Sequence, residues 1–330
     1  MCMLVTDADL PPVAVLPVDL PPPVVGSLSP SRAGDFMTCP LLYRYRTIDR
    51  LPQAPSSAAT RGTLVHAVLE RLFDLPAGER TPASAAALLA PEWDRLRAAE
   101  PAVEQLFTSA DELATWLSSA KGLLDGYFSL EDPRRLDPAE REAFVEVTLA
   151  GGLRLRGIVD RLDVAPGGDL RVVDYKTGRA PGEAFEAKAL FQMKFYALVL
   201  WRTRGAIPRR LQLMYLGDRE VLQYSPDEAD LLATERKLVA LWEAIERATA
   251  RREFVARPSR LCGWCDHQQL CPEFGGQTLP WPEVVPAADA LAPHHQAHRH
   301  AHPAAAEGVT APSPGGTIAT SPLPIPRRTP

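Results

Sequence analysis

Two short segments carry side chains whose types and spacing suit phosphodiester chemistry: Gly157-Ile158-Val159-Asp160-Arg161-Leu162-Asp163 and Val172-Val173-Asp174-Tyr175-Lys176-Thr177. If both are strands, side chains at i and i+2 point the same way, so Asp174 and Lys176 share a face and Tyr175 points away. A hard divalent cation such as Mg2+ or Mn2+ takes oxygen ligands, and Asp160 with Asp174 can supply two. Such an ion polarises a phosphoryl oxygen and acidifies a bound water. Lys176 beside it would orient that water or offset charge on the phosphorus. Taken alone, an Asp-x-Lys triplet is equally the mark of a surface ion pair; a second acid one hairpin away sets this one apart. With Asp160 and Asp174 each closing a strand, antiparallel neighbours would hold them at opposite ends unless the strands splay or bend.

A second constellation is Cys262-Gly263-Trp264-Cys265, followed by Cys271, with Cys39 as a distant fourth thiol. Four thiolates suit zinc or an iron-sulfur cluster. His267 could instead complete a Cys3His zinc site and leave Cys39 as a small buried hydrophobe. Five cysteines, three within ten residues, do not form the framework of a secreted disulfide protein. Cys2 has no assigned role.

The elements around these residues follow from capping and periodicity. Ser29-Pro30 reads as an N-cap and first helical residue, opening a helix that carries Cys39 and is distorted or restarted at Pro40. A helix over about 60–73 buries Leu64, Val65, Val68, Leu69 and Leu72, with His66 and Glu70 one turn apart on one face. Residues 82–130 keep a helical period throughout and read as an all-α insertion. The period then changes to two for three strands, at 144–149, 153–160 and 170–176, joined by turns at Gly151-Gly152 and Pro166-Gly167-Gly168. A helix at about 184–204, a strand at 211–216 and a helix at about 226–250 complete an α/β fold with a mixed sheet. Pro-rich residues 1–26 read as a disordered leader. Residues 275–330, with the tract His294-His295-Gln296-Ala297-His298-Arg299-His300-Ala301-His302, read as a disordered tail.

The 330-residue chain has a formal charge of −5, partly from a leader holding Asp7, Asp9 and Asp19 and no Lys or Arg. The remainder lies near neutrality, with arginines grouped at 44/46/50, 154/156, 202/204/209/210 and 251/252. Such groups bind phosphate without overall basicity, or equally form solvated helix faces. No uncharged apolar run reaches membrane-spanning length and no secretory signal is present, so a cytoplasmic protein without a membrane partner is expected. The absence of a Walker-type loop excludes a helicase motor within the chain.

Gly157-Ile-Val-Asp160-Arg161-Leu-Asp163, Asp174-Tyr175-Lys176-Thr177, Gln192-x-x-x-Tyr196 and the upstream Gly62-Thr63-Leu64-Val65-His66 together resemble the motifs of RecB-family nucleases of the PD-(D/E)xK superfamily. The resemblance covers about residues 27–274 and implies a nuclease core with a mixed central sheet flanked by helices. It implies His66, Asp160, Asp174 and the backbone carbonyl of Tyr175 as metal ligands, Asp160, Asp174 and Lys176 as catalytic residues, and Gln192 and Tyr196 as DNA contacts. Glu70 and Glu146 are lesser candidates. The cysteine layout, one before the core and three after it at 259–274, is similar to AddB-type and CRISPR-associated nucleases. It implies that Cys39, Cys262, Cys265 and Cys271 bind a [4Fe-4S] cluster, with zinc as the alternative, stapling the domain ends together. The activity implied is Mg2+- or Mn2+-dependent exonuclease action on DNA, single-stranded or with free ends, in repair or recombination, beside a possible helicase partner. Rival readings are a catalytically inactive scaffold subunit and a zinc-stapled interaction module.

Overall fold

The computed structural model describes residues 26–180, 182 and 186–282. The Pro-rich leader with Cys2 and the histidine tract lie outside the described residues.

Helix α1 (Pro30–Thr38) starts as its sequence dictates: the Ser29 side chain accepts from the Arg32 N–H, and Pro30 sits where no N–H is needed. Pro40 then opens α2 (Pro40–Tyr43). Between the two, Cys39 is extended (φ −159°, ψ 115°), which sets its thiol on a corner rather than within a helix. A π-helical turn, Arg44–Ile48, follows. Helix α3 (Ser57–Leu72) is capped by Ser56 and buries the expected apolar stripe. Thr81 and Ser109 cap α4 (Pro82–Ala99) and α5 (Ala110–Leu130).

The sheet has five strands in the order β1 (Glu140–Thr148), β2 (Arg154–Val164), β3 (Leu170–Lys176), β4 (Arg210–Tyr215), β5 (Glu220–Tyr224). Only β3 and β4 run parallel, because the chain between them crosses over through α6 (Glu186–Arg204); the other neighbours are antiparallel. Strand β5 is absent from the sequence reading. It is a five-residue edge strand with no fully buried side chain and no strict alternation, so its apolar signal is weak.

Two apolar layers sandwich the sheet. Val172, Leu211 and Leu213 pack with α1, α6 and the long α7 (Glu228–Arg251). Val173, Tyr175, Met214 and Leu216 pack against α3, α4 and α5 on the opposite face. The helices of 82–130 are thus one wall of the sheet. At Gly126 of α5 an added Cβ would meet the Leu216 carbonyl oxygen at 2.0 Å, so a glycine is required for that approach.

Candidate active site

Strand β2 continues to Val164, so Asp160 does not close its strand as the sequence suggested. The β2–β3 ladder runs from Val164↔Leu170 to Arg161↔Val173 and stops there. One step further in the same register, Asp160 faces Asp174. The β1–β2 ladder also skips this position: Arg141↔Arg161 and Ala143↔Val159 pair, while Glu142 between them has φ 44°, the left-handed region. Glu142, Asp160 and Asp174 therefore form one row across three strands, where direct strand pairing is interrupted on both sides of Asp160. Facing slips there too. Val159 and Leu162 both join the α6-side core, although three residues of regular strand would put them on opposite faces. Register and a local kink bring the acids together, so they do not lie at opposite ends of the hairpin.

His66 comes to this row from α3. Its Nδ1 lies 3.5 Å from Asp160 Oδ2 and 3.9 Å from Glu142 Oε1, and its Nε2 lies 2.9 Å from the Tyr175 carbonyl oxygen. The Tyr175 N–H donates to Asp160 Oδ2 at 2.7 Å, a side-chain bond where the ladder has ended. His66, Glu142 and Asp160 each offer a ligand atom within 4.8 Å of the others. With the Tyr175 carbonyl alongside, this set of imidazole, carboxylates and carbonyl fits a hard or borderline divalent cation such as Mg2+ or Mn2+. Glu142 was not singled out from sequence. Its signal was available by counting outward from the Gly151-Gly152 turn, which places residue 142 opposite residue 160. Glu70 is buried and close enough to act on the Glu142 carboxyl, whereas Glu146 is exposed opposite Arg156 and outside the site.

Asp174 is held separately. It is 2% exposed, its Oδ2 lies 2.6 Å from Lys176 Nζ, and its Oδ1 accepts from Gln192 Nε2 at 2.9 Å. Lys176 Nζ donates in turn to Gln192 Oε1 at 2.9 Å, so one amide grips both charges. Gln192 also reaches the Tyr196 hydroxyl at 3.3 Å, and Tyr196 is buried against Gly157, where an added Cβ would meet its ring at 2.6 Å. The two residues expected to contact DNA therefore lie within the site's own hydrogen-bond network. Burial and the charge of Asp160 push the Asp174 carboxyl up to about 6. Burial, Asp160 and Glu70 push Glu142 up to about 9. Burial opposes the Lys176 charge, but Asp174 outweighs it and holds the ammonium above its ordinary range.

All four expected cysteines line a single cavity with Tyr45 and Leu41 among its walls. Backbone N–H groups of Arg257 and Ser259 point at Cys39 Sγ and Cys262 Sγ, at 3.4 and 3.2 Å, and burial raises the Cys265 thiol. His267 is buried edge-on against Tyr45 at 5.4 Å and does not line the cavity, which disfavours the Cys3His arrangement. Among the described residues, the set of ligand atoms within 4.8 Å of one another is the His66 set. No three of the cysteine sulfurs lie within 4.8 Å of one another. Four thiols around one cavity are donors that suit zinc or an iron-sulfur cluster.

Several grouped arginines are engaged in ion pairs: Arg44 with Asp49, Arg46 with Asp35, Arg202 with Glu235, Arg204 with Glu140 and Arg209 with Asp169. No helix among the described residues is long and apolar enough to cross a membrane.

Comparison with known proteins agrees with this geometry. The chain is 26% identical over 274 residues to the gene 69 protein of Mycobacterium phage D29, covering 74% of this chain and 96% of that one. It is 29% identical over 126 residues to the gene 69 protein of Mycobacterium phage L5, a match spanning 37% of this chain and 41% of the relative. A crystal structure of a candidate exonuclease from Eubacterium rectale shares the fold at TM-score 0.50 and 12% identity, covering 79% of this chain and 92% of the other. The model of the PD-(D/E)XK nuclease superfamily matches residues 27–272, and this chain belongs to that superfamily.

Proposed function

We propose that the protein is a RecB-like, Mg2+- or Mn2+-dependent deoxyribonuclease that trims DNA from ends, with a four-cysteine [4Fe-4S] site fastening the two extremes of the nuclease domain. The observation carrying this reading is the row of Glu142, Asp160 and Asp174, met by His66 on one side and Lys176 on the other. A bound divalent cation supplies a polarised phosphoryl oxygen and a more acidic water. The chain's own residues do the rest. His66, Asp160, Asp174 and the Tyr175 carbonyl would hold the ion, with Glu142 as an added carboxylate. Lys176 carries a positive charge to where phosphorane charge develops, and Gln192 keeps it there. Tyr196 braces Gln192 from behind.

The substrate class follows from the superfamily; the choice of DNA with free ends, action in repair or recombination, a helicase partner and a cytoplasmic setting extend the RecB resemblance. The test is cleavage of 5′- and 3′-labelled single-stranded DNA with Mn2+, with Mg2+ and with EDTA. The expected result is metal-dependent shortening from an end, lost in Asp174→Asn. Undiminished cleavage by that variant overturns the site, and an absence of cleavage on every DNA form favours the inactive scaffold. For the cysteine site, anaerobically purified protein is expected to be brown with broad visible absorbance; a colourless protein containing stoichiometric zinc overturns the cluster.

A further inference from the structure

Behind the acid row lies an ion network that the proposed chemistry does not use. Arg161 follows Asp160 directly, reaches toward the end of α5 and is 1% exposed. Its guanidinium forks onto the Glu131 carboxylate, lies 3.2 Å from Asp163 Oδ1 and donates to the Tyr175 hydroxyl at 2.7 Å. Glu131 is the C-cap of α5, and Asp163 also receives Arg171 at 2.8 Å, so two cations meet two anions. Tyr127 of α5 packs edge-on against the Tyr175 ring at 5.8 Å.

Tyr175 is thus held at two points, its backbone and its hydroxyl. Its backbone bonds Asp160 and His66, and its hydroxyl bonds Arg161. This matters because the β2–β3 ladder ends at Arg161↔Val173. Beyond that pair no ladder bond fixes how far the end of β3 stands from β2. The Arg161–Tyr175 bond spans the fork at that level, anchored by the helical wall through Glu131. We propose that Arg161, backed by Glu131, is a positioning residue that sets the opening of the fork and thereby the affinity of the acid row for its cation. The inference rests on the reading of that row as a cation site.

The experiment uses the full chain. Mn2+ affinity is measured by loss of the free-ion EPR signal, and exchange of the backbone amide at position 175 by hydrogen–deuterium mass spectrometry. Tyr175→Phe removes one hydroxyl and leaves the core packing, whereas Arg161→Met strands a buried carboxylate and serves as a second variant where it folds. Arg80→Met is the control: Arg80 is another buried arginine of the same layer, and it bonds backbone carbonyls, including Leu75 at 2.9 Å, with no contact to Tyr175. Outer partners of metal ligands are typically worth about 10–100-fold in affinity. Tyr175→Phe is expected to weaken Mn2+ about tenfold and speed exchange at position 175, while Arg80→Met lowers the melting temperature and moves neither. An unchanged exchange rate and Mn2+ affinity within about twofold of wild type overturn the proposal, as does an equal effect from Arg80→Met. If wild type takes up no Mn2+, the cation reading falls, and the exchange rate alone decides whether the bond sets the fork.

Discussion

The acid row and the cysteine cavity both gather side chains of metal-ligand type, but they relate to the fold in opposite ways. The row is built on three strands and a sixteen-residue helix, all packed within the two apolar layers. There the fold buries like charges together, and burial, with the charge of Asp160 added, raises the Asp174 and Glu142 carboxyls. The cysteines sit on a helix corner and on short 3₁₀ turns over 260–274, where Leu261, Trp264 and Phe274 are exposed. Little apolar burial holds that segment. A cation in the row would relieve strain the fold has already imposed, whereas a group among the thiols would itself hold the segment in place.

The largest expected effect falls on chemistry in the row. Lys176→Ala should lower the cleavage rate by about 10²–10³-fold, the usual cost of removing one charge-stabilising donor. Circular dichroism should be unchanged, and retained activity would dissolve the distinction between the two regions. Next comes Cys262→Ser, which opens a loop running back to Cys39. By analogy with other long cross-links it should cost about 4 kcal/mol, or roughly 10 °C in melting temperature, with loss of visible absorbance. Mn2+ affinity below the melting transition should stay the same. A shift in that affinity without a fall in stability would reverse the comparison.

A smaller effect is expected from pH. A carboxyl raised in the folded state favours folding below its unfolded value and loses that contribution as pH rises through its folded value. For Asp174 the window runs from 3.8 to about 6, and for Glu142 from 4.5 to about 9. Metal-free protein should therefore melt lower at pH 8 than at pH 5.5 on account of these groups. Glu142→Gln should flatten that slope and reduce the stabilisation given by Mn2+; an unchanged slope in thermal melts would show that the row is not under repulsion. The smallest change belongs to Tyr196→Phe, which removes one 3.3 Å bond to Gln192 and should leave cleavage within about threefold.

Much of the architecture was legible because local signals agreed with it. Ser29-Pro30 marked a helix start, Pro40 a restart, and paired glycines the first hairpin. His66, Asp160, Asp174 and Lys176 converge as the motifs imply. What the sequence obscured were features that depend on register. The place of Glu142 follows from pairing around the hairpin rather than from its neighbours, and the slip at Asp160 breaks the alternation by which strands are recognised. Gln192 and Tyr196 fell on the right helix, but only packing against Gly157 shows that they face inward.

Where β3 diverges, the upper half of β2 would present a bare edge. Leu28 fills the gap, bonding Arg154 O and the Arg156 N–H at 2.8 and 3.0 Å while fully buried. Leu28 thus covers part of an edge that would otherwise be open to edge-to-edge pairing. Forms beginning past residue 29 should aggregate at lower concentrations than forms beginning at residue 26, measured by light scattering.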